Sequence, residues 1–272
     1  MTQATFIFST GRCSTQYLTN LIAENTTNTV VEHEPLGGGY MSRHVFYSPN
    51  RFEEISKKHS DISSKFDEIQ RLLKRGISYV STGWPVYAWL PYLASRFGEN
   101  FKFIIIVREP FDFAASMLSH KFFRGLRSDH QNHSVIHGHG NRVLFSELAK
   151  EWYSFTPYEK CLFHWLEVNT FLYKHTHTKG YGGLFKFEDL YSAQGHVLTL
   201  LRDHFNVMPG SRATKPLDRF NRPCFGEISA NNGSLLTSVV ELSNLLGYNL
   251  SAQNISENLR QTRLRYSEKR IS

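Results

Sequence analysis

The sequence predicts an α/β protein with a mostly parallel central sheet of about five strands and helices on both faces. Short apolar segments alternate along the chain with longer segments of helical periodicity, which is the order typical of such a sheet. Residues 101–107 (FKFIIIV) are largely apolar and rich in β-branched side chains, as expected for a central strand covered on both faces. No internal repeat or linker divides the 272 residues, so we expect a single domain over residues 1–272.

The secondary structure can be assigned in chain order. Strands are expected where short apolar runs are bounded by turn residues, at 4–9, 29–33, 77–82, 101–107 and 183–187. Helices are expected at 14–25, 52–75 in two pieces, 86–97, 110–123, 143–178 in two segments broken near Pro157, 189–205 and 234–247. Irregular structure is expected at 124–142 and 209–233, and the polar tail after residue 251 is expected to be poorly ordered.

The charge balance favours an anionic ligand. The formal net charge is +7 and the sequence pI is about 9.3, which suits a nucleotide, a sulfated sugar, a nucleic acid or a membrane surface. The alternative is a basic protein with no polyanionic partner. Because the Lys and Arg residues are dispersed and form no long basic run, we expect no nucleic-acid partner.

The cysteines and the apolar segments bear on the compartment. Cys13, Cys161 and Cys224 form neither a disulfide framework nor a zinc-binding pattern, which favours a reducing compartment. The N-terminal residues have no signal-peptide pattern, and no stretch reaches the ~18 apolar residues of a membrane span. We therefore expect a cytoplasmic protein without stable membrane insertion, the alternative being a truncated chain.

Residues 9–16 (STGRCSTQ) join the first strand to the first helix, where open parallel sheets bind ligands. A helix N-terminus there offers unpaired N–H groups and a positive dipole end, which suit a phosphate or sulfate. Gly11 permits a tight turn, Arg12 adds positive charge, and Ser14 and Thr15 add hydroxyl groups. The alternative is an ordinary Ser/Thr helix cap on a basic turn. The P-loop pattern GxxxxGK[ST] is absent, which argues against an ordinary nucleoside triphosphatase.

A second candidate anion site follows the central strand. Arg108 stands at the carboxyl end of that strand, Pro110 opens the next helix, and Ser116 lies on the second turn of this helix. A guanidinium and a hydroxyl group are suitable donors to a second phosphate. The alternative is a structural Arg108 paired with a carboxylate.

Together these motifs resemble the family of sulfotransferases that use 3′-phosphoadenosine 5′-phosphosulfate (PAPS). The 5′-phosphosulfate loop of that family, (K/R)-S-G-T-(T/S), follows the first strand and is similar to residues 12–16. Its 3′-phosphate site is an Arg with Pro two residues on and Ser eight residues on, as at Arg108. Residues 187–190 (FEDL) resemble the family's E-D-L segment after a later strand, and residues 246–248 its C-terminal LGY.

The resemblance implies a fold like that of the P-loop kinases and an in-line displacement in which an acceptor takes the sulfuryl group of PAPS without a metal ion. Cys13 replaces the usual Ser of the loop, Ser14 the usual Gly and Gln16 the usual Thr. Since backbone N–H groups would do most of the binding, these changes are tolerable. The residues that the resemblance assigns to PAPS are Gly11, Arg12, Cys13, Ser14, Thr15, Gln16, Arg108 and Ser116, with Arg12 also stabilising the charge on the leaving group.

The general base cannot be the one that the cytosolic phenol and steroid branch of this family uses. That branch has KTHLP where this chain has residues 81–85 (STGWP), so Gly83 replaces its catalytic His. Residues 32–35 (EHEP) end the second strand, where the carbohydrate and tyrosylprotein branches place a catalytic Glu. We favour Glu34 as the base and keep His33 as the alternative, although either could be a structural hydrogen-bonding group. A saccharide or other small-molecule acceptor is favoured.

The remaining candidates lie in two irregular segments. A stretch rich in histidine contains His130, His133, His137 and His139. Because no Cys or carboxylate accompanies these side chains, we expect a mobile loop near the acceptor rather than a metal site.

Arg219 and Arg222 are weaker candidates for a segment that closes over the nucleotide. Two other functions stay open: a nucleotide kinase of related architecture, and a non-catalytic module that binds nucleotides or sulfated glycans. The sequence does not indicate the oligomeric state.

Overall fold

The structure is a computed structural model, and it describes residues 2–124, 133–140, 142–192, 194–205, 207 and 227–267. Within these ranges no helix combines the length and the apolar character needed to cross a bilayer. The prediction that residues 1–272 form one domain stays a prediction.

Five parallel strands form one sheet in the order β2-β3-β1-β4-β5, which confirms the predicted fold class. All five predicted strands are present, with ends that differ by at most two residues from the predicted ones. The strands are β1 (Ala4–Phe8), β2 (Thr29–His33), β3 (Ser78–Thr82), β4 (Phe101–Val107) and β5 (Tyr181–Lys186).

Helices connect the strands and cover both faces of the sheet. The α-helices of the described residues are α1 (Thr15–Asn25), α2 (Ser42–Tyr47), α3 (Phe52–Lys58), α4 (Ser60–Lys74), α5 (Leu90–Phe97), α6 (Pro110–Ser119), α7 (Ser146–Ala149), α8 (Pro157–Lys174), α9 (Phe187–Ser192), α10 (Gln194–His204), α11 (Gly233–Leu245) and α12 (Ile255–Ser267). Short 3₁₀ helices lie at Gly37–Tyr40, Trp84–Trp89, Gly98–Asn100 and Ala252–Asn254.

Side-chain alternation along the central strands builds a core on each face of the sheet. Phe6 and Phe103 belong to the larger apolar cluster, whereas Ile7, Ile104 and Ile106 belong to the smaller one. Successive side chains of a strand point to opposite faces, so β1 and β4 contribute to both clusters. This double burial explains why these strands read as nearly continuous apolar runs.

The structure differs from the predicted secondary structure most clearly at the tail, at α2 and at the end of α6. Of the tail after residue 251, which was predicted to be poorly ordered, the described residues 252–267 form a 3₁₀ helix and α12, and α12 packs against α6. Helix α2 was not predicted. Its first residue, Ser42, donates a hydrogen bond from its hydroxyl group to the carbonyl of Pro85. Residues 110–123 were predicted to be helical throughout, but α6 ends at Ser119.

The strand order places one crevice at the carboxyl edge of the sheet. The chain leaves β1 toward β2 on one side of the sheet and leaves β4 toward β5 on the other, while β1 and β4 are neighbours. Such a switch point leaves a gap between the connections, and ligands of open parallel sheets bind there. The loops that follow β1 and β4 carry Arg12 and Arg108, so the topology brings the two predicted anion sites to the same crevice.

Candidate functional site

The loop between β1 and α1 has a tightly turned backbone. Gly11, Arg12 and Ser14 have φ angles of 88°, 57° and 52°. Positive φ costs a non-Gly residue about 1 kcal/mol or more, and residues held in this way concentrate at functional sites. The side chain of Ser14, at the N-cap of α1, makes no capping hydrogen bond, so the helix-cap alternative does not describe it. The first N–H groups of α1 therefore receive no side-chain cap from Ser14.

Neutral aromatic groups support this loop. A Cβ atom on Gly11 would lie 3.1 Å from the ring of Trp84, so glycine lets the indole pack directly on the loop. The Trp84 ring in turn meets the ring of His164 edge to face, at 5.7 Å between centroids. Burial lowers the pKa of His164 to about 3, and its Nδ1 accepts the Ile136 N–H at 3.1 Å. His164 is therefore a neutral supporting group, which its sequence position inside a helix did not reveal.

The two predicted anion sites are joined by hydrogen bonds. Arg12 donates from Nε to the hydroxyl of Ser116 at 3.0 Å. Arg108 donates from Nη1 to the carbonyl of Arg12 at 2.8 Å. The guanidinium groups of Arg12, on the loop after β1, and of Arg108, on the loop after β4, therefore meet the hydroxyl group of Ser116, on α6. The spacing of the motifs alone could not establish this cluster.

Arg108 is held by neutral groups. Its guanidinium lies 4.7 Å from the centroid of the Phe187 ring, and its carbonyl accepts the indole N–H of Trp165 at 2.9 Å. Nη2 lies 3.3 Å from the hydroxyl of Tyr266, and the buried Nε has no hydrogen-bond partner among the described residues. Arg108 also forms no ion pair within the described part of the chain, so the structural ion-pair alternative is not seen there. The carboxylates of Asp112 and Glu188 attract this charge without forming an ion pair with it, so the guanidinium remains a candidate to bind an anion.

Glu188 fixes the backbone next to Arg108. Its carboxylate accepts the N–H of Glu109 at 2.9 Å and the hydroxyl of Tyr248 at 2.7 Å. Glu109 caps α6 by accepting the N–H of Asp112 at 2.7 Å. The FEDL and LGY segments of the sequence therefore meet at the start of α6, where they hold the turn that carries Arg108.

Glu34 and His33 lie at the carboxyl end of β2, beside the loop. The pKa of Glu34 is raised to about 7 because the carboxyl group is largely buried, and the positive charge of Arg12 opposes part of this rise. His33 Nε2 lies 3.0 Å from the hydroxyl of Thr15 and 3.7 Å from the carboxylate of Glu34. Burial lowers the pKa of His33, so this imidazole is neutral at pH 7 and its contact with Glu34 is not an ion pair there.

Gly83 and Glu34 share one space. A Cβ atom on Gly83 would lie 2.4 Å from Cγ of Glu34, well inside van der Waals contact. Gly83 also has a φ angle of 147°, which side chains rarely tolerate. Glu34 could therefore not keep its present position if residue 83 had a side chain. This gives a steric reason for glycine at position 83 in a chain that carries Glu34.

Three other predicted residues direct their side chains away from the Arg12–Ser116 contact. Cys13 is buried, its thiol donates to the carbonyl of Gly11 at 3.1 Å, and burial raises the thiol pKa to about 12. Gln16 donates to the side chain of Asn20 at 3.4 Å on the exposed face of α1. The hydroxyl of Thr15 faces His33. Cys13 and Gln16 could contact an anion in this cluster only through backbone N–H groups.

The histidine-rich segment differs from the predicted mobile loop. Residues 134–137 are buried, and Arg43 donates from Nη1 to Nε2 of His137 at 2.9 Å. The hydroxyl of Tyr47 donates to the carbonyl of His137 at 2.7 Å, so this segment is fastened to α2. Among the described residues no group of His, Cys, Asp and Glu side chains could hold a metal ion.

His130, Arg219 and Arg222 lie outside the described residues. The predictions made for these three side chains stay predictions.

Comparisons with known proteins give a distant likeness. No protein-family model matches the chain, and no curated protein matches it. The solved structure titled "Sulfotransferase Domain from the Curacin Biosynthetic Pathway" is 14% identical, with 96% of this chain and 98% of that chain covered and a TM-score of 0.44. The "Sulfotransferase Domain from the Synechococcus PCC 7002 Olefin Synthase" is 15% identical, with 92% and 98% covered and a TM-score of 0.49.

A third similar structure is the "Crystal Structure of Sulfotransferase from Alicyclobacillus acidocaldarius". It is 16% identical, with 93% of this chain and 98% of that chain covered and a TM-score of 0.47. Likeness at this level does not decide the function, which has to be argued from the residues of the site.

The shared space of Gly83 and Glu34 predicts a non-additive effect on stability. Gly83→Ala should destabilise the protein by more than the roughly 1 kcal/mol expected from backbone strain alone, because its Cβ overlaps Glu34. In a Glu34→Ala background, the same substitution should cost at least about 1 kcal/mol less, as measured by urea unfolding.

Gly76→Ala is the matched control, because Gly76 also has a positive φ, of 76°, but no atom within 4 Å of its Cβ position. Its cost should be the same in both backgrounds. Equal costs for Gly83→Ala in the two backgrounds would contradict the steric exclusion.

Proposed function

We propose that this protein is a sulfotransferase that binds PAPS and transfers its sulfuryl group to an acceptor hydroxyl, with a saccharide or another small molecule as the favoured acceptor. The observation that carries the proposal is the meeting of Arg12, Ser116 and Arg108 at the switch point of the sheet. Two guanidinium groups on neighbouring loops suit one ligand with two separated anionic groups. Glu34, close enough for Arg12 to lower its pKa, supplies a candidate base at the same edge.

The residues present fit such a nucleotide. A buried Nε without a partner among the described residues leaves Arg108 a donor that a 3′-phosphate oxygen would satisfy. The N-terminus of α1 and the side chain of Arg12 suit the 5′-phosphosulfate, because both favour negative charge. When bound, PAPS supplies the sulfuryl group and a leaving group that departs as adenosine 3′,5′-bisphosphate.

The protein's part in the reaction is to position the reacting groups, to stabilise charge and to accept a proton. Arg12 would stabilise the negative charge that grows on the leaving group, an electrostatic role that contributes strongly in transfers of this kind. Glu34 would accept the proton of the acceptor hydroxyl, since a carboxyl group with a pKa of about 7 is both ionised to a useful extent and basic near neutral pH. His33, neutral and close to both Thr15 and Glu34, would orient these groups and is the alternative base.

The proposal includes a cytoplasmic location and a reaction without a metal ion. Cys13 and Cys161 are buried free thiols, as expected for a protein of a reducing compartment. Arg12 and Arg108 would balance the negative charges of the nucleotide that a metal ion balances in other enzymes.

The two-site arrangement predicts selectivity between nucleotides. Adenosine 3′,5′-bisphosphate should bind at least about tenfold more tightly than AMP, because the 3′-phosphate adds charge-assisted hydrogen bonds of about 1.5–3 kcal/mol. Arg108→Ala should remove most of this difference and Ser116→Ala a smaller part, as measured by isothermal titration calorimetry.

AMP affinity is measured alongside and should fall less than bisphosphate affinity in both variants, because the 5′ contacts lose only the support that Arg108 and Ser116 give to Arg12. Arg96→Ala is a matched control, since Arg96 pairs with Asp67 and makes no contact with this cluster. Equal affinity of the unmodified protein for the two nucleotides would refute the two-site arrangement. ATP and heparin in the same series test the kinase and glycan-binding alternatives.

Glu34→Gln should leave nucleotide binding intact and lower turnover by roughly 100-fold or more, the usual scale for loss of a general base. Turnover of the unmodified protein should fall as the pH drops through about 7, because the protonated carboxyl group cannot accept a proton. The measurement is transfer from sulfur-labelled PAPS to an acceptor found by screening saccharides and other small hydroxyl compounds.

His33→Asn is the comparison variant and should reduce turnover less than Glu34→Gln. If His33→Asn is inactive while Glu34→Gln turns over normally, His33 is the base and Glu34 is not. If both variants keep normal turnover, either the acceptor ionises without a base or the base lies in the histidine-rich segment.

A further inference from the structure

Helix α12 brings Tyr266 onto the second anion site. The Tyr266 side chain is buried, with 9% of the residue exposed. Its hydroxyl lies 3.3 Å from Nη2 of Arg108 and within hydrogen-bonding reach of the Ser116 hydroxyl. These are the two side chains to which we assign the 3′-phosphate. One phenol group therefore contacts both members of the site.

Hydrogen-bond chemistry fixes the role of this hydroxyl. Its single proton is donated to the carbonyl of Asp112 at 3.0 Å. Toward Arg108, which can only donate, the Tyr266 oxygen must therefore be the acceptor. A phosphate oxygen would be an acceptor for the same donor, and a stronger one because it is charged. A phosphate that binds the Nε and Nη2 edge of Arg108 would therefore compete with Tyr266 for Nη2.

The helix is held in place by a small number of contacts, one of which is the hydrogen bond from Nε of Arg263 to the carbonyl of Ile228 at 2.7 Å. Arg265 pairs with the carboxylate of Asp112 at 2.7 Å, and the hydroxyl of Thr262 lies 3.4 Å from the same carboxylate. The Arg265 side chain is 49% exposed, and ion pairs of this kind contribute little to stability. Leu259 and Tyr266 are the buried apolar side chains of α12.

We propose that α12 is a strap that covers the 3′ anion site in the absence of nucleotide, with the Tyr266 hydroxyl in the place of a phosphate oxygen, and that a 3′-phosphorylated nucleotide displaces it. The identity of the nucleotide rests on the proposed function. Because the strap must first be displaced, any ligand that needs Arg108 binds less tightly than it would to an uncovered site. The return of the strap favours release of adenosine 3′,5′-bisphosphate. A nucleotide without a 3′-phosphate leaves the strap in place.

Tyr266→Phe tests the competition, because it keeps the ring and removes only the hydroxyl. Calorimetry should show adenosine 3′,5′-bisphosphate binding about fivefold more tightly to the variant, the scale of one neutral hydrogen bond, with AMP affinity unchanged. Arg265→Ala should act in the same direction with a smaller effect. Tyr153→Phe is the control, since Tyr153 is 83% exposed and should change neither affinity.

Hydrogen–deuterium exchange of the unmodified protein gives a second readout. Exchange in residues 255–267 should rise when adenosine 3′,5′-bisphosphate is added and should not change with AMP. Slower exchange with the bisphosphate, or unchanged or weaker binding by Tyr266→Phe, would overturn the strap, because Tyr266 would then belong to the closed site. In those cases the selectivity of the unmodified protein for the bisphosphate would still stand. Equal binding of the two nucleotides by the unmodified protein would overturn the proposed function and the strap together.

Discussion

The hydrogen bond from the Arg108 guanidinium to the carbonyl of Arg12 is the interaction on which the site depends. It joins the loops that follow β1 and β4, the two strands between which the parallel sheet opens its crevice. The acceptor is a backbone carbonyl, so the bond positions Arg108 without cancelling its charge. A carboxylate in the same place would give a structural ion pair and no anion site. The left-handed backbone of Arg12 and the turn that Glu188 holds next to Arg108 position the two partners of this hydrogen bond.

The sequence was sufficient for the five strands and for the place of Arg12, Arg108 and Ser116 along the chain, whereas their role in binding an anion stays a prediction. Apolar runs such as residues 101–107 predict buried strands, because only a covered strand tolerates so few polar side chains. Arg108 and Ser116 could be assigned together because one ends a strand and the other lies on the helix that follows. Their contact with Arg12 required the strand order, which local patterns do not give.

What sequence reasoning missed depends on contacts between distant segments. The space shared by Gly83 and Glu34 exists because β2 and β3 are neighbours, and no pattern within either segment encodes it. Helix α12 is largely polar, so its composition indicated a disordered tail, whereas its order comes from tertiary contacts with Asp112 and Arg108. The segment around His137 looked like a solvated loop but is packed against Trp152 and Arg43.

The central claim is that one nucleotide bridges the loops after β1 and β4. A crystal structure of the protein with adenosine 3′,5′-bisphosphate tests it most directly. The 3′-phosphate should lie on Arg108 and Ser116, the 5′-phosphate should lie at the N-terminus of α1 beside Arg12, and Tyr266 should have moved from its present contact. A nucleotide bound elsewhere, or one whose 3′-phosphate makes no contact with Arg108, would contradict the account.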